Sequence, residues 1–136
     1  MIGLNTMLEM REKTGHPVRI GLIGAGQMGT DVVAQTTMMK GVEVVAIADI
    51  DSDRARAAYE IGGVDKEVLD AESPTDADEA VAAGRRVAAA DFEVITDMQT
   101  VDVMLEATGV PEVGSRAALR AARSGQQLAM MNVETD

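Results

Sequence analysis

The sequence predicts an α/β fold: a doubly wound, mostly parallel sheet in a single domain. Short runs of β-branched and apolar residues alternate with longer stretches of helical periodicity, and this alternation is typical of helices packed on a parallel sheet. The apolar runs are nearly continuous, which suits strands covered on both faces. The length of 136 residues is that of one domain.

The first half of the chain predicts a βαβ unit preceded by a short helix. Apolar residues recur at helical spacing before Gly15 and Pro17, and a β-branched run follows. Lys40 and Gly41 are typical of a helix end, whereas Asp51 or Ser52 can cap the next helix. The predicted segments are a lead-in helix at 5–13 within residues 1–16, strands at 18–23 and 42–48, and helices at 28–40 and 52–61.

The second half is less regular. Residues 97–100 separate two predicted strands, whereas a parallel crossover needs roughly a dozen residues. Two interpretations stay open: the first of these strands is an irregular edge segment, or a helix has been deleted. The predicted segments are a loop with one helical turn at 64–75, a helix at 76–90, strands at 92–96 and 101–107, a helix at 111–124 and a buried strand at 128–133.

Composition excludes several classes of protein. The formal net charge of −11 disfavours nucleic acid and anionic membranes as partners. The absence of cysteine excludes disulfides and thiolate metal sites. Charged residues near the start and apolar runs far below the ~20 residues of a membrane span predict a cytoplasmic protein. With one Tyr and one Phe, the core is expected to use Val, Ile, Leu, Ala and the ten methionines.

A glycine-rich turn joins the first predicted strand to its helix. Gly24, Gly26 and Gly29 have the spacing GxGxxG, and Asp49 lies 20 residues beyond Gly29 at the end of the second strand. The glycine spacing alone has an ordinary explanation as a structural turn. Strand, turn, helix and distant acid together predict a Rossmann-type dinucleotide-binding domain.

Each position of the turn has an expected role. Gly24 permits the tight turn, Gly26 lets a pyrophosphate approach the backbone, and Gly29 allows close packing of the helix on the sheet. The free N–H groups near Gln27, Met28 and Gly29 are then expected to face the pyrophosphate. The positive end of the helix dipole would thereby offset the acidic net charge.

The expected cofactor is NAD or NADP, with NAD favoured. Asp49 is placed to accept hydrogen bonds from the ribose hydroxyls, and its charge would repel a 2′-phosphate. Asp49 has an alternative role as the end of a strand or a helix cap. Arg54 and Arg56 are near enough to pair with a 2′-phosphate, although arginines on a solvated helix face, paired with nearby acids, are more often plain surface charges.

Three further residues are candidates for the nicotinamide side. Thr108 and Gly109 follow a predicted strand, and ligands of open α/β sheets lie outside the carboxyl ends of strands. An ordinary turn with Thr108 as a helix cap is the alternative. Asn132 ends the last strand on the same edge, as does Glu134, and both have a plain alternative as solvated side chains. No catalytic residue and no metal site are predicted, and the acids between 65 and 79 are interpreted as a solvated loop.

Four blocks then carry a family resemblance. Residues 18–29, 46–49, 105–109 and 130–134 occur in the order found in the N-terminal domain of homoserine-dehydrogenase-like oxidoreductases. They resemble the SAF-domain-linked branch, which includes the 1-deoxy-D-xylulose 5-phosphate reductoisomerase-like enzymes.

The resemblance implies that residues 1–136 are an NAD(P)-binding Rossmann domain and that a catalytic and dimerisation domain follows outside this chain. It also implies that Thr108, Gly109 and Asn132 contact the nicotinamide side. Two departures are visible. Val133 stands where homoserine dehydrogenases proper have lysine, so homoserine is not the predicted substrate, and the segment 97–100 lacks a helix that the relatives have.

The predicted function is hydride transfer between a nicotinamide cofactor and a small polar carbonyl or alcohol substrate, phosphorylated ones included. A general acid is expected in the substrate domain, so this chain alone would bind cofactor without turnover. A homo-oligomer is a further expected form. The alternatives are a non-catalytic nucleotide-binding or redox-sensing module, and a truncated domain with degraded binding.

Overall fold

A computed structural model describes residues 3–131 of the chain as an all-parallel six-stranded sheet with helices on both faces. The strands are β1 (Val18–Ile23), β2 (Val42–Ala48), β3 (Val68–Asp70), β4 (Arg86–Ala89), β5 (Val103–Glu106) and β6 (Gln127–Met130). The helices are α1 (Leu4–Lys13), α2 (Gln27–Thr37), α3 (Ser52–Ile61), α4 (Pro74–Ala82), α5 (Phe92–Thr96) and α6 (Pro111–Ser124). The predicted α/β, Rossmann-type, doubly wound fold is confirmed.

The strand order β3-β4-β2-β1-β5-β6 places β1 inside the sheet. On one side of β1 the chain forms β2, then the edge strand β3, and then β4 between β2 and β3; it next crosses by α5 to β5 on the other side of β1. The direction of winding therefore reverses between β1 and β5. Ligands of open parallel sheets bind in the crevice at such a reversal, outside the carboxyl ends of the strands.

Two apolar layers cover the sheet. One lies under α2 and α3 and includes Val33 and Tyr59, whereas the other lies under α4, α5 and α6 and includes Ile95. The last five residues of β2, residues 44–48, are all buried, as the continuous apolar run predicted. Between two helical layers neither face of this strand meets water.

The core is built chiefly from alanine and β-branched residues. Of the methionines among residues 3–131, Met98 and Met104 are fully buried, whereas Met7, Met10 and Met38 are exposed. The expectation that methionine fills the core is therefore wrong for most of these residues. Small alanine side chains allow helix backbones to lie close to the sheet, so long flexible side chains are not needed there.

The predicted helix at 76–90 is wrong at its second half. Helix α4 begins after Ser73, whose side chain accepts a hydrogen bond from the Asp76 N–H at 3.1 Å. Gly84, with φ of +82°, turns the chain into the fully buried strand β4. The alanine-rich composition of this segment favours a helix locally, but β4 forms a strand because it pairs with β2 on one side and with β3 on the other. The predicted loop at 64–75 likewise contains β3.

The predicted strand at 92–96 is the short helix α5. Asp91 caps it by accepting a hydrogen bond from the Glu93 N–H at 2.9 Å. The crossover from β4 to β5 therefore spans residues 90–102, which is long enough for a parallel connection. Neither an irregular edge segment nor a deleted helix explains the region, because the helix is present and short.

Acidic side chains hold this crossover in place. The Asp78 carboxylate accepts hydrogen bonds from the Gln99 and Thr100 N–H groups and from the Thr100 hydroxyl at 2.7 Å. The guanidinium of Arg120 lies 2.6 Å from Asp97 and lowers the pKa of that carboxyl. The interpretation of the acids between 65 and 79 as merely solvated is therefore wrong for Asp78. Within residues 3–131 no group of His, Asp and Glu side chains could hold a metal ion.

The first and last elements lie at the periphery. Helix α1 confirms the predicted lead-in helix and buries none of its residues. Strand β6 pairs only with β5 and is half exposed, so the buried strand predicted at 128–133 is an edge strand over the part that the structure describes. None of the helices within residues 3–131 has the length and apolar character required to cross a membrane.

Candidate functional site

A cleft of about 480 Å³ opens at the carboxyl edge of the sheet, where the winding direction reverses. Its volume is in the range of small-molecule sites. Four residues predicted from the sequence line it: Gly24, Gly26, Asp49 and Thr108. The other lining residues are Ile23, Ala48, Ile50, Arg54, Ala90, Asp91, Phe92, Ala107, Val110, Val113 and Arg116.

Gly24 fixes the turn that leaves β1. Its φ of +104° lies in the region that favours glycine, and its N–H donates to the Ala48 carbonyl at 2.8 Å. A Cβ at this position would lie 2.9 Å from the backbone of Ala107 and Thr108. The turn is therefore held between the ends of β2 and β5.

Gly29 brings α2 against the end of β1. A Cβ on Gly29 would lie 2.1 Å from the Gly24 carbonyl oxygen and 3.4 Å from Leu22 Cδ2. No side chain fits in that space, so only glycine allows the helix to start this close to the strand. The expected role of Gly29 in helix packing agrees with this geometry.

Gly26 forms the open part of the turn. It is the N-cap of α2 and, having no side chain, leaves the first-turn N–H groups near Gln27 and Met28 without a side-chain cap. A Cβ here would meet nothing closer than Arg54 Nη2 at 3.6 Å. The helix start therefore fits an anion: it offers uncapped amide donors, the positive end of the helix dipole and free space.

Asp49 ties the glycine turn to the end of β2. Its Oδ2 accepts a hydrogen bond from the Ala25 N–H at 2.9 Å, and its Oδ1 accepts one from the Asp51 N–H at 3.0 Å. Asp51, not Asp49, caps α3 by accepting from the Asp53 N–H at 3.0 Å. Each Asp49 oxygen retains a further lone pair, so the carboxylate fits a hydroxyl-rich ligand such as a ribose.

Thr108 is tied to a buried carboxylate that sequence reasoning missed. Glu106 is fully buried at the end of β5, and its Oε1 accepts hydrogen bonds from the N–H of Thr108 at 2.8 Å and from the Thr108 hydroxyl. Thr108 Oγ1 accepts from the Val110 N–H at 3.1 Å, whereas Val110 itself is the N-cap of α6. Thr108 is therefore not the helix cap that the sequence left open. The signal for Glu106 was a charged residue within an apolar strand.

Replacing Thr108 with Val is expected to lower the free energy of unfolding by about 1–3 kcal/mol, because the buried Glu106 carboxylate loses a hydroxyl donor that valine cannot replace. Urea unfolding followed by circular dichroism measures the change. Thr108→Ser keeps the hydroxyl and is the matched control, expected to be close to wild type. Equal stability of the Val and Ser variants would contradict the role assigned to this hydrogen bond.

Other candidates lie around the cleft rather than in its lining. Gln27 and Met28 are exposed in the first turn of α2, and the Gln27 side chain donates to Asp31 at 3.0 Å. Gly109, with φ of +68°, is exposed in the turn after β5. Asn132, together with Glu134, lies outside the described residues.

The two arginines after β2 differ in their environment. Arg56 donates to the Val68 carbonyl and forms an ion pair with Asp70 at 2.7 Å, which raises the pKa of Arg56. It points to the edge of the sheet at β3. Arg54 is exposed, lines the cleft and lies over Gly26.

Phe92 and Arg116 also line the cleft and were not predicted. The Arg116 guanidinium lies 5.2 Å from the centre of the Phe92 ring and 3.6 Å from the Glu93 carboxylate. The sequence contained no signal for this pair, because α5 was not recognised as a helix.

A second cleft, of about 530 Å³, opens at the amino edge of the sheet. It is larger, but its lining mixes acids and bases, and the cation Arg86 pairs with Glu43 at 3.5 Å. Ligands of open parallel sheets bind outside the carboxyl ends of the strands, and the loops at the amino edge follow helix ends rather than lead into helix starts. The carboxyl-edge cleft is therefore the candidate site.

Fold and cleft together define the class: a Rossmann-type domain like those of nicotinamide-dependent oxidoreductases. No family model matches the chain. Among curated proteins, the inositol 2-dehydrogenase of Klebsiella pneumoniae subsp. pneumoniae is 42% identical over 52 residues, which is 38% of this chain and 15% of that protein. Inositol 2-dehydrogenase 1 of Paenarthrobacter aurescens is 44% identical over 52 residues, with the same coverage of 38% and 15%.

Solved structures show the same fold. The myo-inositol dehydrogenase of Lactobacillus casei, in complex with NAD(H) and myo-inositol, has a TM-score of 0.62 at 21% identity, over 84% of this chain and 28% of that one. A 3-ketoreductase of Actinomadura kijaniata, in complex with NADP, has a TM-score of 0.57 at 20% identity, over 85% and 30% of the two chains.

These comparisons support the coarser resemblance, an N-terminal domain of an NAD-binding oxidoreductase. The finer resemblance to homoserine-dehydrogenase-like and 1-deoxy-D-xylulose 5-phosphate reductoisomerase-like enzymes was wrong, because the curated relatives are inositol 2-dehydrogenases and the similar structures include a myo-inositol dehydrogenase and a 3-ketoreductase. The chain spans less than a third of the length of these proteins, since it covers 28% of the Lactobacillus structure and 15% of the Klebsiella protein.

Proposed function

We propose that this chain is the NAD(P)-binding domain of an oxidoreductase that acts on a polyol or sugar-like substrate. The observation that carries the proposal is the uncapped start of α2 at Gly26, which opens into the carboxyl-edge cleft beside the Asp49 carboxylate. Amide donors for a diphosphate and a carboxylate for a ribose thus border the same cavity.

The residues of the cleft have separate tasks in binding. The first-turn amides of α2 donate to the diphosphate, and the helix dipole supplies the positive potential that a chain of net charge −11 otherwise lacks. Asp49 accepts hydrogen bonds from the ribose hydroxyls while it holds the turn through Ala25. Thr108 and Gly109, at the end of β5, border the nicotinamide half, where Asn132 remains a further predicted contact.

Several features favour NAD over NADP. The Asp49 carboxylate would repel a 2′-phosphate at the ribose. Ile50, which follows it, is 93% exposed and offers an apolar surface beside the ribose rather than a charge. Arg56, one of the two cations considered for a 2′-phosphate, is already paired with Asp70.

The proposed reaction is hydride transfer between the cofactor and a secondary alcohol or carbonyl carbon of the substrate. The cofactor supplies the hydride chemistry, and the domain orients it. The inositol dehydrogenases and the ketoreductase among the relatives support a small polyhydroxylated substrate. A homo-oligomer, a cytoplasmic location and the absence of nucleic-acid partners stay predictions, as does a general acid in a substrate domain outside this chain.

Calorimetric titration of the chain with NAD and with NADP tests the proposal. We expect sub-millimolar binding of NAD and weaker binding of NADP, because only the latter brings a phosphate to Asp49. Tighter binding of NADP would contradict the preference for NAD. Binding of neither cofactor at sub-millimolar concentration would contradict the proposed function itself.

A further inference from the structure

One cation of the cleft forms no ion pair and no side-chain hydrogen bond within residues 3–131: Arg54, in the first turns of α3. Most other arginines of the described chain are paired, as Arg56 is with Asp70, Arg86 with Glu43 and Arg120 with Asp97. In a chain of net charge −11, carboxylate partners are abundant. An arginine that lines a ligand cleft without such a partner is therefore available to an anion.

The position of Arg54 identifies the anion it would meet. Its Nη2 atom is the nearest atom to the space that a Cβ of Gly26 would fill, at 3.6 Å. That space is where a diphosphate must approach the start of α2, because Gly26 is the uncapped N-cap. Arg54, on α3, and the first-turn amides of α2 thus border the same space in front of Gly26.

The 2′ position of a bound ribose has different surroundings. A 2′-phosphate would project toward Asp49, whose two oxygens are held in place by the Ala25 and Asp51 N–H groups. A second negative charge is unfavourable there. The guanidinium over Gly26 is instead suited to the diphosphate, since its planar fork pairs with phosphate oxygens in two hydrogen bonds.

We propose, on the basis of the proposed function, that Arg54 closes over the diphosphate of the cofactor from the side opposite the α2 amides. It is a binding residue for NAD and NADP alike and does not select between them. The long side chain is free to move from its position over Gly26 onto the ligand, because it is exposed.

Arg54→Ala tests the proposal by titration with NAD, NADP, ADP-ribose and adenosine. The expected result is a rise in Kd on the order of tenfold for the three diphosphates, the effect of one charge-assisted hydrogen-bonding group. Adenosine, which has no phosphate, is expected to bind as it does to wild type. The difference in Kd between wild type and Arg54→Ala is expected to become smaller as the salt concentration is raised, because salt screens an exposed charge.

Arg56→Ala is the matched control, two residues along the same helix. It breaks the pair with Asp70 but is expected to leave all four Kd values within about twofold. A loss confined to NADP would overturn the proposal and assign Arg54 to the 2′-phosphate. Unchanged binding of NAD to Arg54→Ala would overturn it as well, while the proposed function would stand. If the wild-type chain bound neither NAD nor NADP, both the role of Arg54 and the proposed function would be contradicted.

Discussion

Gly26→Val is expected to raise the Kd for NAD at least about 100-fold while the domain stays folded, a loss of about 2.7 kcal/mol of binding free energy. The valine methyl groups would occupy the space in front of the uncapped α2 amides and keep a diphosphate out of hydrogen-bonding distance. The fold is expected to tolerate the change, because the backbone of Gly26 has φ of −75° and its nearest Cβ neighbour is the end of a flexible arginine at 3.6 Å. Titration calorimetry and thermal unfolding measure the two effects separately.

Gly3→Val is the control for this experiment. Gly3 is also an N-cap, with φ of −70°, and a Cβ there would meet nothing within 4 Å. It lies at the start of α1, outside the lining of the cleft, so binding is expected to be unchanged. If Gly26→Val bound NAD as tightly as Gly3→Val, the diphosphate could not lie at the start of α2.

Gly29→Ala is expected to cost on the order of 3 kcal/mol of unfolding free energy, a large part of the stability of a small domain. In the interior of an isolated helix, Gly→Ala stabilises the helix by about 0.5–1 kcal/mol. At Gly29 the same substitution is expected to destabilise the domain instead. The reason is that the new Cβ would lie 2.1 Å from the Gly24 carbonyl oxygen, and backbone cannot yield as a side chain does. Urea unfolding measures the free energy.

Gly26→Ala serves as the matched comparison, three residues earlier in the same turn. Its Cβ has only the 3.6 Å neighbour, so its stability is expected to be within about 1 kcal/mol of wild type. A Gly29→Ala variant as stable as Gly26→Ala would show that α2 does not need to lie so close to β1.

The features that the sequence predicted best are those set by local chemistry. The helices α3 and α6 have the predicted bounds, because apolar periodicity and terminal glycines coincide in both, with the Asp51 cap at the start of α3 and Pro111 at the start of α6. The glycine turn and Asp49 were recognised from their spacing, and the structure brings Gly24, Gly26, Asp49 and Thr108 to one cleft. These residues could be predicted because a turn, a helix start and a strand end follow one another in a fixed order along the chain.

The middle of the chain could not be predicted in the same way. Strand β4 was interpreted as helix because its alanines favour helix when taken alone, and α5 was interpreted as strand because of its β-branched residues. Both assignments depend on partners distant in sequence: β2 and β3 for the strand, Asp78 and Arg120 for the crossover. Local propensity is a fraction of a kcal/mol per residue, so tertiary packing overrides it.

By itself the sequence determined the fold class, the glycine turn and the acid that follows β2, because these depend on short-range stereochemistry and on strand periodicity. Only the tertiary structure decided which charges are available at the cleft. The sequence gives the same interpretation to Arg54 and Arg56, as two cations near the ribose. In the structure, however, Arg56 is paired with Asp70, whereas Arg54 lies over Gly26. Likewise Glu106 holds Thr108 only because the end of β5 is buried. Ion pairing and burial depend on which residues lie close together in space, and the packing of the helices on the sheet determines those distances.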